Sequence, residues 1–168
     1  MMEKEAIKRL AAQLVECFVE RGYTLATAES CTGGSIAAAI TGVAGCSAVF
    51  KGSVVAYSNE VKVAVLGVGE DTLAVYGAVS EEVVKQMAQG AQRVLNVHCA
   101  VATSGIAGPG GGPPEKPVGT VWVAVAVGSE LFTRLLQIDD KGREANIEHT
   151  VFSALKFLSI CVAGAERG

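Results

Sequence analysis

Between Thr24 and Thr41 the chain reads TLATAESCTGGSIAAAIT, with Glu29, Ser30, Cys31 and Thr32 followed by the pair Gly33-Gly34. An apolar, β-prone start and an alanine-rich finish place this cluster on a strand-to-helix turn. The first N–H groups of a helix have no partner within it. They could hold an anion, or the oxyanion that forms when Ser30 or Cys31 attacks an acyl carbon. Equally, Ser30 or Thr32 could cap the helix while Gly33 and Gly34 permit close packing. Spacing leaves both open. Neither the G-x-S-x-G elbow nor a Walker loop is present.

A nucleophile needs a base. Cys31 at a helix start could have a lowered thiol pKa, but a cysteine nucleophile wants a histidine. His98 precedes a strand and His149 lies inside the last helical run. Neither has a local signature, and both read as structural. Lys62, in AYSNEVKVAVLGV, sits between apolar neighbours on a short helix. Such a lysine either snorkels to solvent or acts as a base for Ser30. An ordinary lysine is neutral only about once in 2,500 molecules at pH 7, so the second role requires burial that lowers its pKa. Thr103, Ser104 and the loop Gly105 to Gly112 could offer hydroxyl and N–H donors to a substrate, although Gly108-Pro109-Gly110 is also an ordinary turn. Arg143 is the best single candidate for a phosphate or carboxylate clamp, because its fork is bidentate.

The elements that must position these residues follow from periodicity. Glu3 to Arg21 is a helix with Ile7, Leu10, Ala11, Leu14, Val15 and Phe18 on one stripe, ended by Gly22. Thr24 to Ala28 reads as a strand and Thr32 to Thr41 as a helix. FKGSVVAYS reads as a strand with a bulge or turn at Gly52. Asn59 caps a short helix through Leu66, and Asp71 caps another. Ser80 starts a longer helix burying Val83, Val84, Met87, Ala88, Ala91, Val94 and Leu95. Cys99 to Thr103 is a strand, and SGIAGPGGGPPEKP is a loop. GTVWVAVAV and LFTRLLQI pair as strands, and a last helix runs from about Gly142 to Cys161. This order predicts a three-layer α/β/α sandwich, an α/β fold whose mostly parallel mixed sheet has one antiparallel strand. Both Gly-rich turns then lie at the carboxyl ends of strands, where ligands bind in such sheets.

The chain has 168 residues, of which 50% are hydrophobic, with a formal net charge of −3. One domain over residues 1–168 is expected. The absence of a basic cluster argues against nucleic-acid binding. Mean hydropathy is +0.39, yet no apolar run reads as a membrane span. The charged, amphipathic N-terminus has no signal-peptide core. Five cysteines without a CxxC pair fit thiols in a reducing compartment, and a cytoplasmic location is expected. The apolar surplus makes a homodimer plausible.

Five stretches together, TAESCTGG, AYSNEVK…LGV, GAVSEEVV, SGIAGPGGG…KPVGTVWVAV and GREA…AL, resemble the C-terminal domain of the CinA family, in its order and over nearly the whole chain. The resemblance implies deamidation of nicotinamide mononucleotide to nicotinate mononucleotide and ammonia, in pyridine nucleotide recycling. It implies a stand-alone form, since CinA proper carries an extra N-terminal domain. It makes Ser30 the nucleophile and Lys62 its activator. Tyr57 and Thr103 match family site positions. Substrate contacts are implied for Cys31, Thr32, Gly33, Gly34, Ser104, Gly105 and Arg143, with the Gly-rich turns and helix-start N–H groups holding the oxyanion. No metal or cofactor is implied. The chain departs from the family at Gly142, where an Asp is usual, and at Ile147, where a second basic residue is usual. A weakened nucleotide-binding module, or an amidase for another substrate, are the alternatives these departures raise.

Overall fold

The computed structural model describes residues 2–165. Its five-stranded sheet comprises β1 (Leu25–Glu29), β2 (Phe50–Val55), β3 (Cys99–Gly105), β4 (Thr120–Val127) and β5 (Glu130–Gln137). The strand order is β2-β1-β3-β4-β5. β1 pairs in parallel with β2 and β3, while β4 runs antiparallel to both β3 and β5. β4 alone therefore runs against the other four strands, although the ladders divide evenly between parallel and antiparallel. The register shifts where Ala26 pairs with Gly52, the site of a bulge.

Among the described residues there are six α-helices, α1 (Met2–Arg21), α2 (Ser35–Thr41), α3 (Asn59–Ala64), α4 (Glu70–Tyr76), α5 (Glu81–Leu95) and α6 (Arg143–Ala165), and a short 3-10 turn at Cys46–Ala48. The two-residue period of a strand divides the core into two halves. Leu25, Cys99, Val101, Val121, Val123 and Val125 pack with α1, α2 and α6. Ala26, Ala28, Ala100, Ala102, Ala124 and Ala126 face the other way, toward Val83, Val84, Met87 and Ala88 of α5. The fully buried apolar strand residues of that second cluster are all alanine, so α5 lies close to the sheet, with Val54, Trp122 and Leu131 partly buried beside them. At Gly90 an added Cβ would sit 2.1 Å from the Leu66 carbonyl oxygen.

Local chemistry moves several boundaries from their expected positions. Ser58, not Asn59, caps α3, accepting from the Val61 N–H at 3.2 Å. Gly69, without a side-chain cap, precedes α4, so Asp71 lies inside that helix. Ser80 caps α5 as expected. Val94 is exposed rather than buried, while Leu95 beside it packs against the core. α2 begins at Ser35 rather than Thr32, because Gly33 and Gly34 adopt φ of 59° and 98°, which delays the helix. α6, at 23 residues, does reach the length and composition of a membrane span, contrary to expectation. Its Val151, Leu155, Leu158 and Val162 are buried in the core shared with α1 and the sheet.

Candidate active site

The carboxyl ends of β1, β2 and β3 converge. Ser30 N–H donates to the Thr103 carbonyl at 3.0 Å, and Ala56 N–H donates to the Glu29 carbonyl at 2.9 Å. Both bonds extend the sheet ladders by one residue, which fixes the backbone on either side of Ser30. Strand alternation then sends Glu29 toward α2 and Ser30 toward the α5 face, where α3 packs.

α3 carries Lys62 into this corner. Its Nζ lies 3.1 Å from Ser30 Oγ, 2.9 Å from the Ala56 carbonyl oxygen and 3.3 Å from the Tyr57 carbonyl oxygen. Lys62 is 1% exposed and Ser30 9%. Among the described residues no carboxylate pairs with Lys62. Burial lowers its pKa below the ordinary 10.5, with a smaller opposing effect from Cys31. A neutral amine has two hydrogens and one lone pair. The two carbonyls accept both hydrogens, which leaves the lone pair for the Ser30 hydroxyl proton. This geometry makes Ser30 a candidate nucleophile with a base in place.

Cys31, next in sequence, is in a different environment. Its side chain belongs to the core on the α2 side. Burial first, and the Glu29 charge second, push its thiol up to about 12. A thiol held there stays protonated at neutral pH, which argues against Cys31 as the nucleophile. His98 accepts from the Thr24 N–H at 3.2 Å and stacks on Tyr23. His149 pairs with Glu3. Neither histidine bonds to any residue of the Ser30 corner.

The helix-start N–H groups expected to hold an oxyanion are taken. Glu29, fully buried, accepts from Ile36 N–H on Oε1 at 2.9 Å and from Ala37 N–H on Oε2 at 3.0 Å. That corrects the expectation for α2, and spacing gave no hint of it because Glu29 reaches across the turn. Gly33 N–H bonds to the Ser30 carbonyl and Ser35 N–H to the Thr32 carbonyl. Among the described residues the N–H groups of Thr32 and Gly34 have no protein acceptor, and that of Cys31 meets only its own sulfur. They are the donors this turn has left to offer.

The other expected residues divide. Thr32 and Thr103 meet at 2.8 Å between hydroxyl oxygens, both buried. Ser104 faces the α5 side, where its hydroxyl donates to the Ala78 carbonyl at 2.8 Å. That hydroxyl is committed to the segment before α5. Gly105 pairs with Val121 in the ladder, and an added Cβ there would lie 2.5 Å from the Val121 side chain. It serves close strand approach. Arg143 bridges two segments, donating from Nη1 to the Gly108 carbonyl at 2.7 Å and from Nη2 to the Tyr57 hydroxyl at 2.8 Å. Tyr57 remains 59% exposed, so its ring forms an open wall beside the Lys62 corner.

Asn146 is a residue that spacing did not single out. It is buried, donates from Nδ2 to the Ala107 carbonyl and to Asp140 Oδ1, and accepts from the Lys141 N–H. It ties the loop after β3 to the start of α6, which sets where Arg143 stands. Asp140 also accepts from the Gly142 N–H, so a carboxylate holds this turn although position 142 is glycine. Ile147 packs against the core and brings no charge.

Comparison with known proteins bears on the family of the chain. The model of the CinA C-terminal domain matches residues 7–162. A nicotinamide-nucleotide amidohydrolase PncC from Escherichia coli is 52% identical over 125 residues, which cover 74% of this chain and 76% of that protein. A protein of the same name from Pseudomonas putida is 49% identical over 90% of this chain and 94% of its own length. The chain spans only 29% of the length of a CinA-like protein from Fervidobacterium nodosum, to which it is 53% identical. Among solved structures, the competence/damage inducible protein CihA from Agrobacterium tumefaciens superposes with a TM-score of 0.90 at 43% identity, covering 92% of this chain and 94% of that one. On the match of both sequence and fold, the chain belongs to the CinA C-terminal domain family.

Proposed function

We propose that the protein deamidates nicotinamide mononucleotide to nicotinate mononucleotide and ammonia, with Ser30 as nucleophile and Lys62 as its base. The observation that carries this reading is the buried Lys62 amine, 3.1 Å from Ser30 Oγ with two carbonyls accepting its hydrogens. The likeness to the nicotinamide-nucleotide amidohydrolases of Escherichia coli and Pseudomonas putida supports the substrate.

Ser30 Oγ attacks the carboxamide carbon while its proton passes to the Lys62 lone pair. The carbonyl oxygen becomes an oxyanion, held by N–H groups of the 31–34 turn. Lys62 then returns the proton to the departing nitrogen, which leaves as ammonia, and Ser30 is left as an ester. Water attacks that ester, Lys62 takes the water proton, and the proton returns to Ser30 Oγ. Tyr57 and Arg143 border the path to Ser30, and the Arg143 guanidinium suits the nucleotide phosphate. All five cysteines are free thiols, which supports a reducing, cytoplasmic setting.

The test is ammonia release by the purified protein from nicotinamide mononucleotide and from its nucleoside. The expected result is turnover of the nucleotide with a clear preference over the nucleoside. Equal use of both would assign the site to amides lacking a phosphate, the reading favoured by the uncharged Ile147. Binding without turnover would make the chain a nucleotide-binding module.

A further inference from the structure

Glu29 is the one buried acidic side chain among the described residues, and the proton transfers above make no use of it. It is fully buried, on the opposite side of β1 from Ser30. Four donors lie within 3.0 Å of its two oxygens. Oε1 accepts from Thr32 Oγ1 at 2.7 Å and Ile36 N–H at 2.9 Å. Oε2 accepts from Ala37 N–H and Thr27 Oγ1, both at 3.0 Å. Burying a carboxylate without a basic partner is costly unless such donors compensate.

Two consequences follow. The start of α2 is occupied from within the protein, which anchors the helix behind the 31–34 turn while the Thr32 and Gly34 N–H groups of that turn stay unpaired. A hydroxyl has one hydrogen. Thr32 gives its hydrogen to Glu29, so its contact with Thr103 must be one in which Thr103 donates. The direction of the chain Thr103 to Thr32 to Glu29 is therefore set by the carboxylate. Thr103 also supplies the carbonyl that accepts from Ser30 N–H. Glu29 thus holds both the turn behind the nucleophile and the strand beside it.

We infer that Glu29 is a positioning residue for acyl transfer: through α2, Thr32 and Thr103 it holds the 31–34 turn in the geometry that receives the oxyanion. This rests on Ser30 being the nucleophile but not on the identity of the amide. Glu29→Gln is the informative change. Each oxygen of Glu29 faces one backbone N–H, which cannot rotate away. Whichever way the amide is turned, its NH2 opposes either Ile36 or Ala37.

Phosphonylation of Ser30 by a fluorophosphonate, followed by intact mass, needs the same oxyanion donors and no nucleotide. Measured on folded protein well below its melting range, Glu29→Gln should lower the phosphonylation rate constant by about ten- to a hundredfold, as expected for a small displacement of reacting groups. Its pH dependence should keep the wild-type midpoint, since Lys62 is untouched. A purely structural role would lower the melting temperature and the labelled fraction, not the rate constant of the folded fraction. If Glu29→Gln does not fold, Thr103→Val removes the far end of the chain and should slow labelling at least several-fold. A folded Glu29→Gln that labels within twofold of the wild-type rate overturns the inference. Labelling of the wild type without nucleotide turnover would count against the substrate and leave the Glu29 comparison intact.

Discussion

Replacing Lys62 by methionine keeps much of the side-chain volume and removes the amine. All three atoms that Nζ contacts belong to the protein: Ser30 Oγ and the carbonyls of residues 56 and 57. The side chain is 1% exposed, so it offers no surface to a bound nucleotide and KM should stay within about twofold. The rate loss follows from the missing base. A positioned general base contributes about 10²- to 10⁴-fold, and the middle of that range, about 10³-fold in kcat, is about 4 kcal/mol of barrier. Stability should change less. The two carbonyls lose their donor, at about 1–3 kcal/mol each if dry, while the buried amine's desolvation cost disappears. The pH profile carries the sharper signature. Burial lowers the Lys62 pKa from 10.5. Activity should therefore rise with pH as the amine deprotonates, with a midpoint below that of an ordinary lysine. At lower pH a third hydrogen occupies the lone pair and blocks transfer from Ser30. Steady-state ammonia release across the neutral and alkaline range gives kcat, KM and this limb together. Lys62→Met should lose both rate and inflection. A variant that keeps the inflection, or loses less than about tenfold in kcat, refutes the assignment of Lys62 as base.

Iodoacetamide at pH 8 should leave activity intact, because a thiol held at about 12 is ionised in only about one molecule in 10,000 there; rapid inactivation with modification of Cys31 would contradict its burial. Arg143→Lys replaces the fork that reaches the Gly108 carbonyl and the Tyr57 hydroxyl through two separate nitrogens by a single one, and losing charge-assisted bonds of about 1.5–3 kcal/mol should raise the nucleotide KM by about tenfold or more. An unchanged KM would remove Arg143 from the binding site. Gly90→Ala places a methyl against the Leu66 carbonyl and should cost about 1–3 kcal/mol, read as a lower melting temperature. An unaltered melting curve would show that α5 and the segment at Leu66 are not in such close contact.

What the sequence disclosed about this molecule depended on the range of the interaction. The period-2 and helical patterns are local, so the order of strands and helices and the position of Ser30 at a strand end were legible. So was Ser80 as a cap. The choice between Ser58 and Asn59 was not, since both residue types cap helices and their difference lies in backbone geometry. Gly33 and Gly34 suggested a turn, but not that their left-handed conformations would delay α2 until Ser35. Apolar neighbours around Lys62 suggested burial, while the carbonyls that receive its hydrogens come from the end of β2 and were invisible to periodicity. Thr103, read at a strand end, and Ser104, read in the following loop, both looked like donors to a substrate; strand alternation sends them to opposite faces, one to Thr32 and one to Ala78. Contacts such as Arg143 to Tyr57, 86 residues apart, need the assembled fold to bring them together. Glu29 is the clearest case: a charged residue inside an apolar run resembles a candidate reactive group, and only the fold-back of the turn turns it into the acceptor for α2.

The most direct test of the central claim is the ammonia-release rate of Ser30→Ala beside the wild type, at saturating nicotinamide mononucleotide. Loss of the hydroxyl removes the attacking atom while leaving Lys62 and its two carbonyls in place, so the rate should fall by at least about 10³-fold with nucleotide binding retained. A Ser30→Ala protein that releases ammonia at the wild-type rate would contradict the account.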